Sequence, residues 1–410
     1  MILGRSKNSK WLTDNCYIIF SVLAFLTFYY DTPDIIRQLV FLLVAVLNIK
    51  LIRIGRLNSV VIFLFAAACL SLTGSVIRPY PISFFLTDMY WAYLPIIFYF
   101  IGSKTFDTYP AFYQRSLWAF MFVFLIGYFF LLFPTEKYIS KTLELLNIHS
   151  EYNEGTYMYA RFASFLDSYH TSNLGVCSLC FSFGLLKFQN KNRTLVKLVA
   201  IVAIAISFIT IMLAQQRVAM NMSVPLMIYY LISNSKNNKM GGIITLLVLG
   251  ILLIFAINYY INFMGEGAGE LVTGRFTKEG SSTLLTDRST QWSAAINGFL
   301  MEPLFGLGIG SGGHLAVEAG LKPVVADGSY FKILLEGGIA SFIPFIIILL
   351  SSLIKGYKNR KIYYVEFPLL LFFSFSLLGA NIIDMPYIIM FMWYIIGRIN
   401  RNKNTDTVYG

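Results

Sequence analysis

Apolar stretches long enough to cross a lipid bilayer recur from one end of this chain to the other, and no other feature constrains the fold as strongly. A spanning helix needs about 20 apolar residues at roughly 1.5 Å rise per residue. Such runs fall near 15–30, 34–50, 57–76, 82–102, 111–134, 170–187, 195–214, 217–233, 241–263, 330–354, 364–381 and 384–398. Together they predict an all-α polytopic membrane protein of about twelve transmembrane helices. Helices are required because hydrocarbon offers backbone N–H and C=O groups no partner outside the segment itself. Composition agrees: 57% of the 410 residues are hydrophobic and only 13% are charged, whereas a soluble domain keeps about 25% charged residues to solvate its surface.

The net charge of +11 raises the question of nucleic acid, but no RNA- or DNA-binding motif is present. The charge has a simpler order. With the N-terminus in the cytoplasm and the spans alternating, most basic residues fall in inside segments, from Arg5, Lys7 and Lys10 to Arg398, Arg401 and Lys403. The inside acids are only Asp14, Asp107, Glu366 and Asp406. Basic residues retained on the cytoplasmic side are the positive-inside pattern, so both termini are expected in the cytoplasm. The first apolar segment reads as a membrane helix rather than a cleaved leader, since no A-x-A site follows it.

This alternation predicts helices over 1–134, an outer loop over 135–169 and central helices over 170–263. A larger outer loop over 264–329, helices over 330–398 and a cytoplasmic tail over 399–410 complete it. Long loops among otherwise minimal ones tend to carry function.

Chemistry concentrates at the outer ends of the helices. Thr286–Leu300 is amphipathic and reads as a surface helix that Asp287 would cap; it holds Arg288, with Arg275 upstream in the same loop. Next comes Gly306-Leu-Gly-Ile-Gly-Ser-Gly-Gly313. Its G-x-G-x-x-G at Gly308, Gly310 and Gly313 follows no strand and precedes no βαβ acid, so it is not a dinucleotide fingerprint. It reads either as a turn or as backbone amides approaching a diphosphate. Asp327 stands just before a membrane helix, as a cap or as a base. Glu336, about two to three turns further in, needs a basic partner at that depth, and Arg217 or Arg288 are the candidates. Asp88 is a further intramembrane acid. Gln215, Gln216 and Arg217 open an apolar helix; Arg217 is either an arginine snorkelling to the interface or, with the helix N-terminus, part of a diphosphate site. Arg161, Asp167, His170 and Asn173 lie where the chain enters the sixth span. Cys177 and Cys180 have C-x-x-C spacing but no further ligands near them in sequence, so they read as small residues on a buried helix face.

Three of these segments, in this order, resemble the O-antigen polymerase and O-antigen ligase superfamily (Wzy and WaaL proteins). They are Arg161 to Gly175, the Gln216-Arg217 pair, and the set Arg288, Trp292, Pro303, Gly306, Gly308, Tyr330, Leu335, Glu336 and Gly338. The ligases carry a His-Asn pair where this chain has Asp327-Gly328, which favours the polymerases. The resemblance implies a GT-C-like fold in a bacterial inner membrane and an activity: polymerising oligosaccharide repeat units carried on undecaprenyl diphosphate. A sugar hydroxyl of one unit would attack the anomeric carbon of another, releasing the lipid diphosphate. Arg288 and Arg217 would stabilise the departing charge, Asp327 would act as general base, and Arg161, Arg275, His170, Gln216 and Glu336 would bind substrate. No cofactor or metal is implied. A chain-length regulator of the Wzz type and a flippase are the implied partners. Two alternatives stay open: a ligase passing polymer to lipid A-core, and a polysaccharide flippase or transporter.

Overall fold

A computed structural model describes residues 7–31, 35–52, 56–76, 79–133, 135–145, 162–188, 194–214, 216–234, 278–313, 316, 325 and 328–401. Among them the secondary structure is entirely helical. The helices are α1 (Lys7–Tyr30), α2 (Ile35–Asn48), α3 (Arg56–Leu70), α4 (Ile82–Asp88), α5 (Ile97–Ser103), α6 (Ala111–Leu132) and α7 (Glu136–Leu145). They continue as α8 (Ser168–Phe188), α9 (Thr194–Ala214), α10 (Arg217–Asn234), α11 (Lys278–Met301), α12 (Ser329–Lys358), α13 (Glu366–Gly379) and α14 (Pro386–Asn400). Helix therefore occupies each apolar segment read from the sequence except 241–263, which lies outside the described residues. Among the described residues, five helical stretches are long and apolar enough to cross a membrane: Asn8–Tyr30, Ile82–Ser103, Ala111–Leu132, Thr194–Ala214 and Ser329–Lys358.

The surfaces of these helices suit lipid. On α9, Leu195, Leu198, Ile201 and Val202 are exposed, while Ala200, Ala203, Ile204, Ser207 and Ile211 are buried. An exposed apolar stripe beside a buried stripe of small residues inverts the pattern of a soluble amphipathic helix and fits a bundle wrapped by hydrocarbon.

The chain divides into two interleaved compact units, Met1–Val44 with Thr108–Ser281, and Ala45–Asp107 with Ser282–Gly410. Helices distant in sequence thus pack together. In the first unit, α8 packs on α9 through small side chains. Ser207 Oγ donates to Ser178 Oγ at 2.7 Å, and a Cβ on Gly175 would stand 2.7 Å from Ile211. In the second unit, α5 crosses α14 at Gly102 and Gly397, where an added Cβ would come within 2.1 Å of the Tyr394 carbonyl and 2.0 Å of the Tyr99 carbonyl, respectively. At the end of that crossing, buried Arg398 donates to Glu366 at 2.6 Å and to the Thr105 carbonyl at 3.2 Å.

Two expectations need correction here. The surface helix begins at Lys278 rather than near Thr286, so Asp287 lies inside it and not at its start. The residue preceding α12 is Gly328, at φ 107° with no side-chain cap, so the cap position is not Asp327, which lies outside the described residues.

Candidate functional site

Each unit buries a polar cluster that its local backbone explains. In the second unit α12 is broken: Gly338 sits at φ 57°, ψ −162° in mid-helix. The Pro303–Gly308 segment docks into the break. Leu307 N and Gly308 N donate to the Leu335 and Glu336 carbonyls at 2.8 and 3.0 Å, while Ile339 N and Ala340 N donate to the Pro303 and Leu304 carbonyls at 2.9 and 3.0 Å. Backbone groups freed by the break are thus satisfied by protein, which is how irregular backbone survives at membrane depth. Glycine is required on both sides of the contact. A Cβ on Gly338 would meet the Leu304 carbonyl at 2.5 Å, and one on Gly306 would meet the Leu335 carbonyl at 2.5 Å.

The same pairing bears on the phosphate reading of these glycines. The amides of Gly306, Leu307, Gly308, Ile309, Ser311 and Gly312 all donate within the protein, so these six serve packing and are not open to an anion.

Beside the break, Lys332 is surrounded by three carboxylates. It donates to Asp88 at 2.7 Å and to Asp384, and stands 3.6 Å from Glu336 one turn along α12. Lys332 is 1% exposed, Asp88 1%, Glu336 3% and Asp384 8%. The remaining acceptors are held too: Glu336 takes the Gly312 amide at 2.9 Å and Asp384 takes Asn381 Nδ2 at 2.6 Å. Irregular backbone delivers each acid. Asp88 ends α4 just before a π-helical turn over Met89–Tyr93, and Asp384 closes a 3₁₀ turn over Ile382–Asp384. The partner of Glu336 is therefore Lys332, not Arg217 or Arg288 as the sequence suggested. Arg288 instead donates to the Gly379 carbonyl at 3.2 Å. One turn on, Trp292 stacks on Phe331 with ring centroids 4.8 Å apart, over a core of Ala295, Leu307, Val325 and Leu335.

In the first unit, residues 162–167 tuck against α6, α8 and the end of α9. Phe162 N donates to the Leu213 carbonyl at 2.9 Å, Ser164 Oγ to the Val123 carbonyl at 2.7 Å, and Thr171 Oγ1 to the Ala163 carbonyl at 2.6 Å. This fixes Asp167 as the cap of α8: its Oδ1 accepts the His170 amide at 2.6 Å, the usual reach of an N-cap carboxylate. Its other oxygen engages His170 Nδ1, which orients the ring. Burial pushes the Asp167 carboxyl up, but the His170 ring and the His170 and Tyr169 amides outweigh this and hold it below the ordinary aspartate value. Three residues past His170, Asn173 donates from Nδ2 to the Tyr169 carbonyl at 2.7 Å and to Gln216 Oε1 at 3.1 Å. Gln216 caps α10, its carbonyl accepting the Met220 amide at 3.0 Å, so Arg217 opens that helix.

Of the residues singled out in the sequence, the first unit thus brings together His170, Gln216 and Arg217. The second unit holds Arg288 and Glu336. Arg161, Arg275 and Asp327 lie outside the described residues. Sequence reasoning missed Lys332 and Asp384 as site residues. The lysine's signal was its spacing from Glu336, one helical turn away, on a helix that cannot afford an unpaired charge. Among the described residues no group of three or more His, Cys, Asp or Glu side chains gathers in a metal-binding arrangement. Cys177 and Cys180 are buried thiols on one face of α8.

No family model and no curated protein matches the chain. Fold and site define an all-helical protein whose long apolar helices fit a membrane-embedded bundle, with a buried ionic cluster at a broken helix in one unit and a capped Asp-His pair in the other.

Proposed function

We propose that the chain is a polymerase of surface polysaccharide in a bacterial inner membrane, joining oligosaccharide units carried on undecaprenyl diphosphate at the outer face. One observation carries the reading. The separate segments of the third resemblance motif, around Trp292, Pro303–Gly308 and Tyr330–Gly338, pack on one another at the break in α12. Sequence neighbours do not require that convergence.

In this reading about twelve spans keep both termini in the cytoplasm, and the loops over 135–169 and 264–329 face outward. An acceptor hydroxyl attacks the anomeric carbon of the donor sugar. The bond from that carbon to the diphosphate oxygen breaks, and the lipid diphosphate leaves with the electron pair. Arg217 and Arg288 take up its charge, since a guanidinium stays ionised and forks onto phosphate oxygens. The hydroxyl proton passes to a base. Asp327 is the first candidate from the sequence, with His170 and Glu336 behind it; supporting His170 is the contact of its ring with Asp167, the arrangement of a catalytic dyad. The test is a strain lacking the gene, complemented with Arg217→Ala or Arg288→Ala. Both variants are expected to insert normally and yield envelope glycan capped by single repeat units; wild-type chain lengths in both would overturn the arginine assignment.

A transport function is the second reading, favoured by the interrupted Ile82–Ser103 and Ser329–Lys358 helices and the ionic cluster between them, features also met in secondary transporters. In proteoliposomes fed lipid-linked oligosaccharide, a polymerase lengthens the glycan, whereas a transporter moves it across the bilayer unchanged.

A further inference from the structure

The amide pair between α8 and α10 is incomplete in a way that identifies what it lacks. Asn173 is 0% exposed and Gln216 7%. Their orientations are not interchangeable. Asn173 must turn its NH₂ toward the Tyr169 carbonyl, because turning Oδ1 there would oppose two acceptors. The second NH of that group then fixes Gln216 with its oxygen inward. Asn173 Oδ1 and Gln216 Nε2 are left over, and neither finds a hydrogen-bond partner among the described residues. One buried acceptor and one buried donor therefore stand open in the same pair, at a cost that native proteins rarely leave unmet.

The surroundings are graded. Asp167, His170 and Asn173 follow one another at helical spacing on α8, and side-chain exposure is 28% at Asp167 and 19% at His170 before closing over at Asn173. Gln216 is followed directly by Arg217. A ligand that fills both amides needs a donor and an acceptor together.

We propose that Asn173 and Gln216 form a subsite for the sugar bonded directly to the lipid diphosphate. The sugar would present a donor and an acceptor together, as a hydroxyl pair or an acetamido group, with Asn173 Oδ1 accepting and Gln216 Nε2 donating. This deepens the polymerase reading and rests on it. It assigns Gln216 to the sugar rather than to the phosphate, and it brings in Asn173 as a specificity residue.

The experiment uses the full-length protein in nanodiscs with three probes: farnesyl diphosphate, farnesyl diphosphate-glucose and farnesyl diphosphate-N-acetylglucosamine. Wild type is expected to bind at least one sugar-bearing probe about tenfold more tightly than the bare diphosphate, the effect of one or two neutral hydrogen bonds. The double variant Asn173→Leu/Gln216→Met should lose that ratio while keeping its affinity for farnesyl diphosphate. Gln216→Met alone, outside any helix interior, serves should the double variant melt early. Diphosphate binding with no sugar preference in wild type, or an undiminished preference in the variants, overturns the subsite and leaves the polymerase reading standing. Binding of none of the three probes overturns both.

Discussion

The Lys332 cluster and the Asn173–Gln216 pair hold their polar groups in opposite ways. Around Lys332 the hydrogen bonds close on themselves: two aspartates on the ammonium, an asparagine on one aspartate, a glycine amide on the glutamate. Around Asn173 they stop short, with an acceptor and a donor left over. A closed cluster locks helices into one arrangement and has little left to offer a ligand. An open one sacrifices stability, and such a sacrifice is tolerated where something else completes it. The difference separates a scaffold from a binding surface more cleanly than charge does, since the scaffold is the more highly charged of the two.

Lys332→Met tests the closed cluster most severely. It leaves three carboxylates buried about an apolar side chain, and removing one partner of a buried ionic group costs about 3–5 kcal/mol. Loss of folded protein in detergent is expected; a melting temperature equal to wild type would break the comparison. Gly338→Ala comes next. It forces φ 57° on a residue with a Cβ, against backbone atoms of Leu304 and Gly306 at 2.5 and 2.6 Å, costing at least about 1–3 kcal/mol. The lowered melting temperature should not be rescued by shrinking neighbouring side chains, because the obstacle is main chain.

The open cluster should respond more mildly and non-additively. Asn173→Leu alone strands Gln216 Oε1 in addition to Nε2 and should cost about 1–3 kcal/mol, whereas Asn173→Leu with Gln216→Met removes both partners and should recover much of that loss. A thermal-melt double-mutant cycle measures the coupling, and additivity would mean the two amides do not act as a pair. The smallest effect belongs to Asp167. Its folded-state pKa is depressed, so its contribution is fully present above the unfolded aspartate value, near pH 4, and fades as pH falls through the lower folded value. Asp167→Asn should flatten that acid limb of the melting curve, lowering the melting temperature modestly at neutral pH and little once the pH is below the folded aspartate value.

Much of this was legible beforehand, for reasons particular residues show. The apolar runs located α1, α6 and α9, because in a lipid-facing helix burial and exposure both demand apolar side chains. Asp167, His170, Gln216 and Glu336 stood out because polar residues are conspicuous against such runs. Their partners did not. Only its one-turn spacing from Glu336 set Lys332 apart from an interfacial lysine, and Asp384 lay in a short apolar turn. The glycines at 306–313 invited a phosphate reading, since a loop that packs on a broken helix and one that cradles an anion make the same demand for residues without a Cβ.

The sequence by itself determined an all-helical chain with long apolar helices, because hydrophobic length is a local property and hydrocarbon tolerates few other backbones. Only the tertiary structure decided which charges meet, where α12 breaks and which amides remain unfilled. Those outcomes depend on segments separated by up to 244 positions, as Asp88 and Lys332 are, and no local pattern encodes a contact between two elements that are each individually satisfied as helix.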